Sequence, residues 1–96
     1  MEVIRLEFPA TRPVARRAHV GVVASGDLEV LIEPGAAACL RVVVTTSVDG
    51  YGVVWGSVLE RFAQRHGAAA AVEINDFGAT PGMVMLRLEQ ALEASR

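Results

Sequence analysis

The sequence is poor in the features that would point to chemistry of its own. A single cysteine, Cys39, excludes an internal disulfide and is compatible with a reducing, cytoplasmic setting. Aromatic residues make up only 5%, so Val, Leu, Ile and Ala must fill the core. Basic residues are in no surplus: the net charge is −2 and the pI about 5.6, which argues against a nucleic-acid footprint. His19 and His66 stand far apart with one lone cysteine, whereas a metal site needs three or four converging ligands. No apolar run approaches the ~18–20 residues needed to cross a bilayer. The opening MEVIRLEF carries an acid at position 2 and alternates, so it reads as a strand and not as a signal peptide.

What is present suits a single globular domain over residues 1–96. The chain is 52% hydrophobic and 21% charged, a balance of folded and not of disordered sequences. A chain of this size buries roughly 60–70% of its unfolded surface, enough for one core without metals or disulfides.

Periodicity gives the elements. Val3–Phe8 alternates and reads as a strand, broken by the two prolines of Pro9–Ala15. Val20–Ala24 and Leu28–Glu33 read as a hairpin, followed by a Pro34-Gly35 turn. Leu40–Val48 is rich in β-branched residues and reads as a further strand. Asp49 is a candidate cap for a helix over Tyr51–His66, whose apolar residues recur at 3.6 spacing and which Gly67 ends. Ala70–Ile74 reads as a strand. Thr80-Pro81 has the chemistry of a helix start, although residues 83–88 also alternate as a strand would; the continuation EQALEAS favours helix. The order β-β-β-β-α-β-α predicts an α+β fold: a mainly antiparallel sheet of about five strands with two helices on one face. If the first strand pairs with the second, the loop Pro9–Ala18, with Arg12, Arg16 and Arg17, lies at the end opposite Ser25.

The segment VGVVASGDLEVLIE, Val20–Glu33, places Ser25 at the tip of the predicted hairpin, flanked by Gly26 and Asp27. A hydroxyl there is accessible on a stiff support and has no base beside it. His19 lies six residues away along the strand, too far to touch. That arrangement suits a serine that carries a group better than one that performs catalysis. From the residues alone, Ser-Gly-Asp is also simply what a turn favours.

Other short patterns are weak. Gly21-VVAS-Gly26 imitates a phosphate loop, but Asp27 stands where lysine belongs. Gly50-x-Gly52 with Gly56 is a poor dinucleotide fingerprint, read here with no parallel βαβ unit around it. Asp76-Phe77-Gly78 copies a kinase triplet without the other kinase parts.

Four stretches together resemble a known family: Phe8–Ala10 (FPA), Val20–Pro34, Val43–Gly50 (VVTTSVDG) and Asn75–Glu93 (NDFGATPGMVMLRLEQALE). They look like the small acyl-carrier, or delta, subunit of biotin-independent malonate decarboxylase. SGDLEVL and DFGATPG are the specific parts. The resemblance implies a non-catalytic subunit whose Ser25 bears a covalent phosphoribosyl-dephospho-CoA arm through a phosphodiester, with Gly26 and Asp27 as flanking turn residues. It implies acetyl and malonyl thioesters on that arm. It also implies partners: an acyl-transferase subunit, decarboxylase subunits and a prosthetic-group transferase, with no membrane or nucleic acid involved. The citrate lyase carrier subunit matches these segments less well and is the alternative, beside an unmodified interaction module.

Overall fold

Alternation drives the sheet. Strand β4 (Leu28–Pro34) sends Leu28, Val30 and Ile32 inward, β5 (Cys39–Thr46) sends Leu40, Val42 and Val44, and β6 (Ala68–Asp76) sends Val72 and Ile74. Period-2 side chains can serve one buried face only when their strands share a register, and these do. Val30 lies opposite Ile74, and Val44 lies beside Ile74 on the other side. The computed structural model describes all residues, Met1–Arg96.

The remaining strands are β1 (Glu2–Pro9), β2 (Arg12–Pro13) and β3 (Ala18–Gly21), and the helices are α1 (Gly52–His66) and α2 (Pro81–Ala94). The sheet order is β1-β5-β6-β4-β3, with the two-residue β2 beside β6. Neighbours are antiparallel except β5–β6 and β2–β6. Both helices pack on the same face, where 22 buried residues form one cluster that includes Trp55, Leu59, Phe62, Leu88 and Leu92. The α+β architecture with a mostly antiparallel sheet and two helices is as the sequence predicts.

Several details differ. The sheet has six strands, because Arg12–Pro13 adds a short parallel pairing at residues 68 and 69 inside the segment that its prolines marked as a break. β1 pairs with β5 and not with β3. Glu7–Arg41 at 3.1 Å reinforces that pairing across the two strands. The loop after β1 still lies at the end opposite Ser25, because β1 and β4 both run away from that end. Asp49 does not cap α1: the cap position is Tyr51, with no side-chain bond, and Asp49 instead pairs with the N-terminal amine at 3.3 Å.

Residues 83–88 are helical. Thr80 is extended at φ −73°, ψ 158°, its hydroxyl accepts from Met83 N, and Pro81 occupies the first helical turn. α1 stops where expected, at a left-handed Gly67 whose N–H donates to Ala63 O. β5, α1 and β6 form a parallel βαβ unit, which the sequence reading had excluded. A ribose-binding acid is still missing from it. Asp76, at the end of β6, is buried and already accepts from Thr46 Oγ1 at 2.8 Å and from Ala79 N at 3.0 Å.

Strand directions gather one set of loops. The β3–β4 loop, the β5–α1 loop, the β6–α2 loop and the first turns of both helices all lie at one end of the sheet.

Candidate functional site

Ser25 stands at the outermost turn of that end. The loop is longer than the tripeptide tip that alternation predicts: β3 stops at Gly21, so residues 22–27 form the connection, and Val22 and Val23 are exposed instead of paired. The reason is steric. Gly21 has φ +86°, and a Cβ there would clash with Leu28 O. Two backbones meet closely at this point, which only glycine allows and which ends the ladder.

Beyond Gly21 the chain makes a compact turn. Ala24 N donates to Val22 O at 3.1 Å and Asp27 N to Ala24 O at 3.0 Å. Gly26 has φ +78°, and Ser25 precedes it with φ below zero. That is a type II geometry with Ser25 and Gly26 at its central positions. The space where a Gly26 side chain would project is open, with nothing within 4 Å. Ser25 itself is exposed.

Three contacts hold the turn to the rest of the molecule. Gly26 N donates to Phe77 O at 2.7 Å, and Phe77 N donates to Asp27 O at 3.0 Å. These bonds carry the β4–β6 pairing past Asp76 into the loop. The third is made by the Asp27 carboxylate. Arg87 of α2 grips it through Nε–Oδ1 at 3.3 Å and Nη2–Oδ2 at 3.1 Å, and Leu28 N donates to Oδ1 at 2.7 Å. The two side chains are 18% and 23% exposed, so this pair is screened by water less than a surface bridge. The Arg87 guanidinium and then the Leu28 N–H hold the Asp27 carboxyl below the usual carboxylate range, against a smaller desolvation effect. Arg87 is fixed in turn by Gln90, to which Nη1 donates at 2.9 Å.

Ser25, Gly26 and Asp27 thus occupy one turn, as their adjacency dictates, but Asp27 does more than close it. Its partner, Arg87, lies 60 residues away and carries no signal in a single sequence. The contact between the SGD and DFG stretches was equally hidden, although both stand out in the chain.

No base reaches the serine. His19 is on the exposed sheet face, 2.9 Å from Glu29 Oε2, and His66 is at the opposite end of α1, 2.8 Å from Glu89 Oε2. Asn75 Nδ2 also donates to Glu29 Oε1 at 2.7 Å. Asn75, then His19, lowers the Glu29 carboxyl below its ordinary range. Nowhere do three or more His, Cys, Asp or Glu side chains converge as metal ligands. Arg12, Arg16 and Arg17 are exposed at the far end, where Arg17 pairs with Glu33 at 3.4 Å. No helix is long and apolar enough to cross a membrane.

The chain is similar to known proteins along nearly its whole length. Residues 15–95 match the family described as "ACP: Malonate decarboxylase delta subunit (MdcD)". The chain is 56% identical over 94 residues to the malonate decarboxylase acyl carrier protein of Azotobacter vinelandii, covering 97% of this chain and 95% of that one. It is 51% identical to the protein of the same description from Pseudomonas putida, over the same shares. The fold superposes with a TM-score of 0.94, at 48% identity and full coverage of both chains, on a chain in the crystal structure of a Pseudomonas malonate decarboxylase hetero-tetramer in complex with malonate. The chain belongs to the malonate decarboxylase delta subunits, a family of acyl carrier proteins and not of catalytic subunits.

Proposed function

We propose that this chain is a cytoplasmic acyl carrier whose Ser25 Oγ bears a phosphoribosyl-dephospho-CoA arm through a phosphodiester. The observation that supports it most is the placement of Ser25: an exposed hydroxyl on a turn held by backbone bonds to Phe77 and by the Asp27–Arg87 pair, with no base beside it. The residues fit the group. A phosphodiester anchor requires a hydroxyl, and Ser offers one with little bulk. The open side of Gly26 leaves room for a modifying enzyme to approach the backbone. That enzyme must bring the base that activates Oγ, since both histidines are engaged elsewhere.

The arm, when attached, supplies the thiol on which acetyl and malonyl groups travel. The chain's own work is to present that thiol. The partners in this reading are an acyl-transferase subunit, which exchanges acetyl for malonate, and decarboxylase subunits, which release CO2. Asp27 is committed inside the fold, so its part is to hold the turn.

Intact mass of protein made together with its modifying enzymes tests the reading. A large adduct that Ser25→Ala abolishes is the expected result. Mature protein that weighs no more than its polypeptide, or an adduct that survives Ser25→Ala, overturns it.

A further inference from the structure

The apolar stripe of α1 is only partly covered. Trp55, Val58, Leu59 and Phe62 are buried, but the first two members, Tyr51 and Val54, are 52% and 40% exposed. They border a groove of about 320 Å³ between the first turns of α1 and α2. Tyr51, Val54 and Trp55 form one wall, and Ala79, Pro81 and Val84 form the other. Asp76 also lines it, but both its oxygens are already paired, with Thr46 and Ala79.

This groove opens at the same end as Ser25. Phe77, whose carbonyl and N–H anchor the serine loop, directly precedes Gly78 and Ala79 in the groove wall. From β4 to the gap between β5 and β6 is about one and a half strand spacings, and the helix layer adds roughly 10 Å. The groove therefore lies on the order of 12 Å from the serine. The larger concavity, about 650 Å³, lies instead on the uncovered sheet face between Arg17 and Arg41, toward the other end of the strands.

We infer that the α1–α2 groove is a resting site for the apolar distal segment of the chain's own arm, its pantetheine thiol or acetyl thioester. The inference rests on the arm being attached at Ser25. The groove's volume is at the lower bound of small-molecule sites, about 300 Å³, which suits one slender chain. A tethered ligand is present at an effective concentration in the ~mM range, so a shallow apolar groove suffices to hold it. Docking there shields the thioester from water between visits to the catalytic subunits, and weak docking leaves it free to depart.

The test uses mature, arm-bearing protein in a Cys39→Ser background, so that the arm holds the only thiol. Trp55 is the single tryptophan and lies in the groove wall, so its emission reports occupancy. Attachment of the arm is expected to shift Trp55 emission. The arm thiol is expected to react with a small alkylating reagent about three- to tenfold more slowly than free pantetheine. Val54→Glu, which places a carboxylate in the groove, restores the free rate; Val53→Glu, on a residue outside the groove, does not. A mass showing the arm on Ser25, with the thiol reacting at the free rate and emission unchanged, overturns this inference and leaves the carrier reading standing. So does an emission change that appears only when the other subunits are added, which would give the groove to a partner. Absence of the adduct defeats the carrier reading itself.

Discussion

Arg87 and Asp27 meet across 60 residues of chain, with Nε and Nη2 of the guanidinium directed at the two oxygens of one carboxylate. The pair joins the base of the serine loop to the middle of α2. A fork of two hydrogen bonds fixes direction as well as distance, which a single point charge does not. The loop that presents Ser25 is therefore set by a helix as well as by the strands it connects.

Arg87→Ala should free the Asp27 end of the loop. The expected result is a loss of roughly 2–5 °C in Tm, faster amide exchange at Gly26 and Asp27, and slower attachment of the arm. Arg87→Lys should recover only part of this, because an ammonium cannot reproduce the fork. Equal exchange rates in wild type and Arg87→Ala would show that the Phe77 bonds alone hold the loop.

Folding lowers the carboxyls of Asp27 and Glu29, through Arg87 and the Leu28 N–H in one case and Asn75 and His19 in the other. As pH falls, the unfolded chain takes up protons at these groups before the folded chain does. Their stabilisation is present above the unfolded carboxylate values of about 4 and is lost as pH drops through the lower folded values. Urea midpoints should be flat above about pH 5 and decline below about pH 4. The decline should be shallower in Arg87→Ala, which removes the main cause of the Asp27 shift.

Two glycines of the loop should respond differently to alanine. At Gly21 the new methyl meets Leu28 O, and the backbone is already left-handed, so a loss of about 2–4 kcal/mol is expected in urea unfolding. At Gly26 the surrounding space is empty and only the left-handed φ opposes the change, so about 1–2 kcal/mol is expected. Similar losses at the two sites would contradict the close approach of the backbones at Gly21.

Thr46 and Asp76 close the ends of the parallel strands β5 and β6, both buried, with Thr46 Oγ1 donating to Asp76 Oδ2 and accepting from Val48 N. Thr46→Val leaves Asp76 Oδ2 and Val48 N without this partner and should cost about 1–3 kcal/mol. Thr46→Ser retains the hydroxyl and should lose less. Urea unfolding distinguishes them.

Local signals were legible in the sequence and distant ones were not. Gly67, Thr80 and Pro81 announce helix ends because the chemistry of a cap is written within a few residues. Alternation located the core strands, because burial on one face imposes it. The loop length was misread because Val20–Ala24 alternates well enough to continue a strand; what stops it is the Leu28 carbonyl, invisible from Gly21. Asp49 was a reasonable cap by composition, but the N-terminal amine competes for its carboxylate. The pairing of β1 with β5 depends on the α1 crossover bringing β6 alongside β5, a matter of topology that no residue near β1 records. That Ser25 lies on a turn was legible from its neighbours Gly26 and Asp27, whereas the Asp27–Arg87 contact required the fold.

The two backbone bonds between the serine loop and Phe77 have a mechanical result. Phe77 directly follows β6, which has a strand on each side, so the peptide under Ser25 is fastened to the end of the sheet's middle strand. Reorienting that peptide would mean breaking these two backbone bonds. In the proposed carrier reading, travel of the thiol then comes from rotation about the bonds of the attached group, with the polypeptide serving as its pivot.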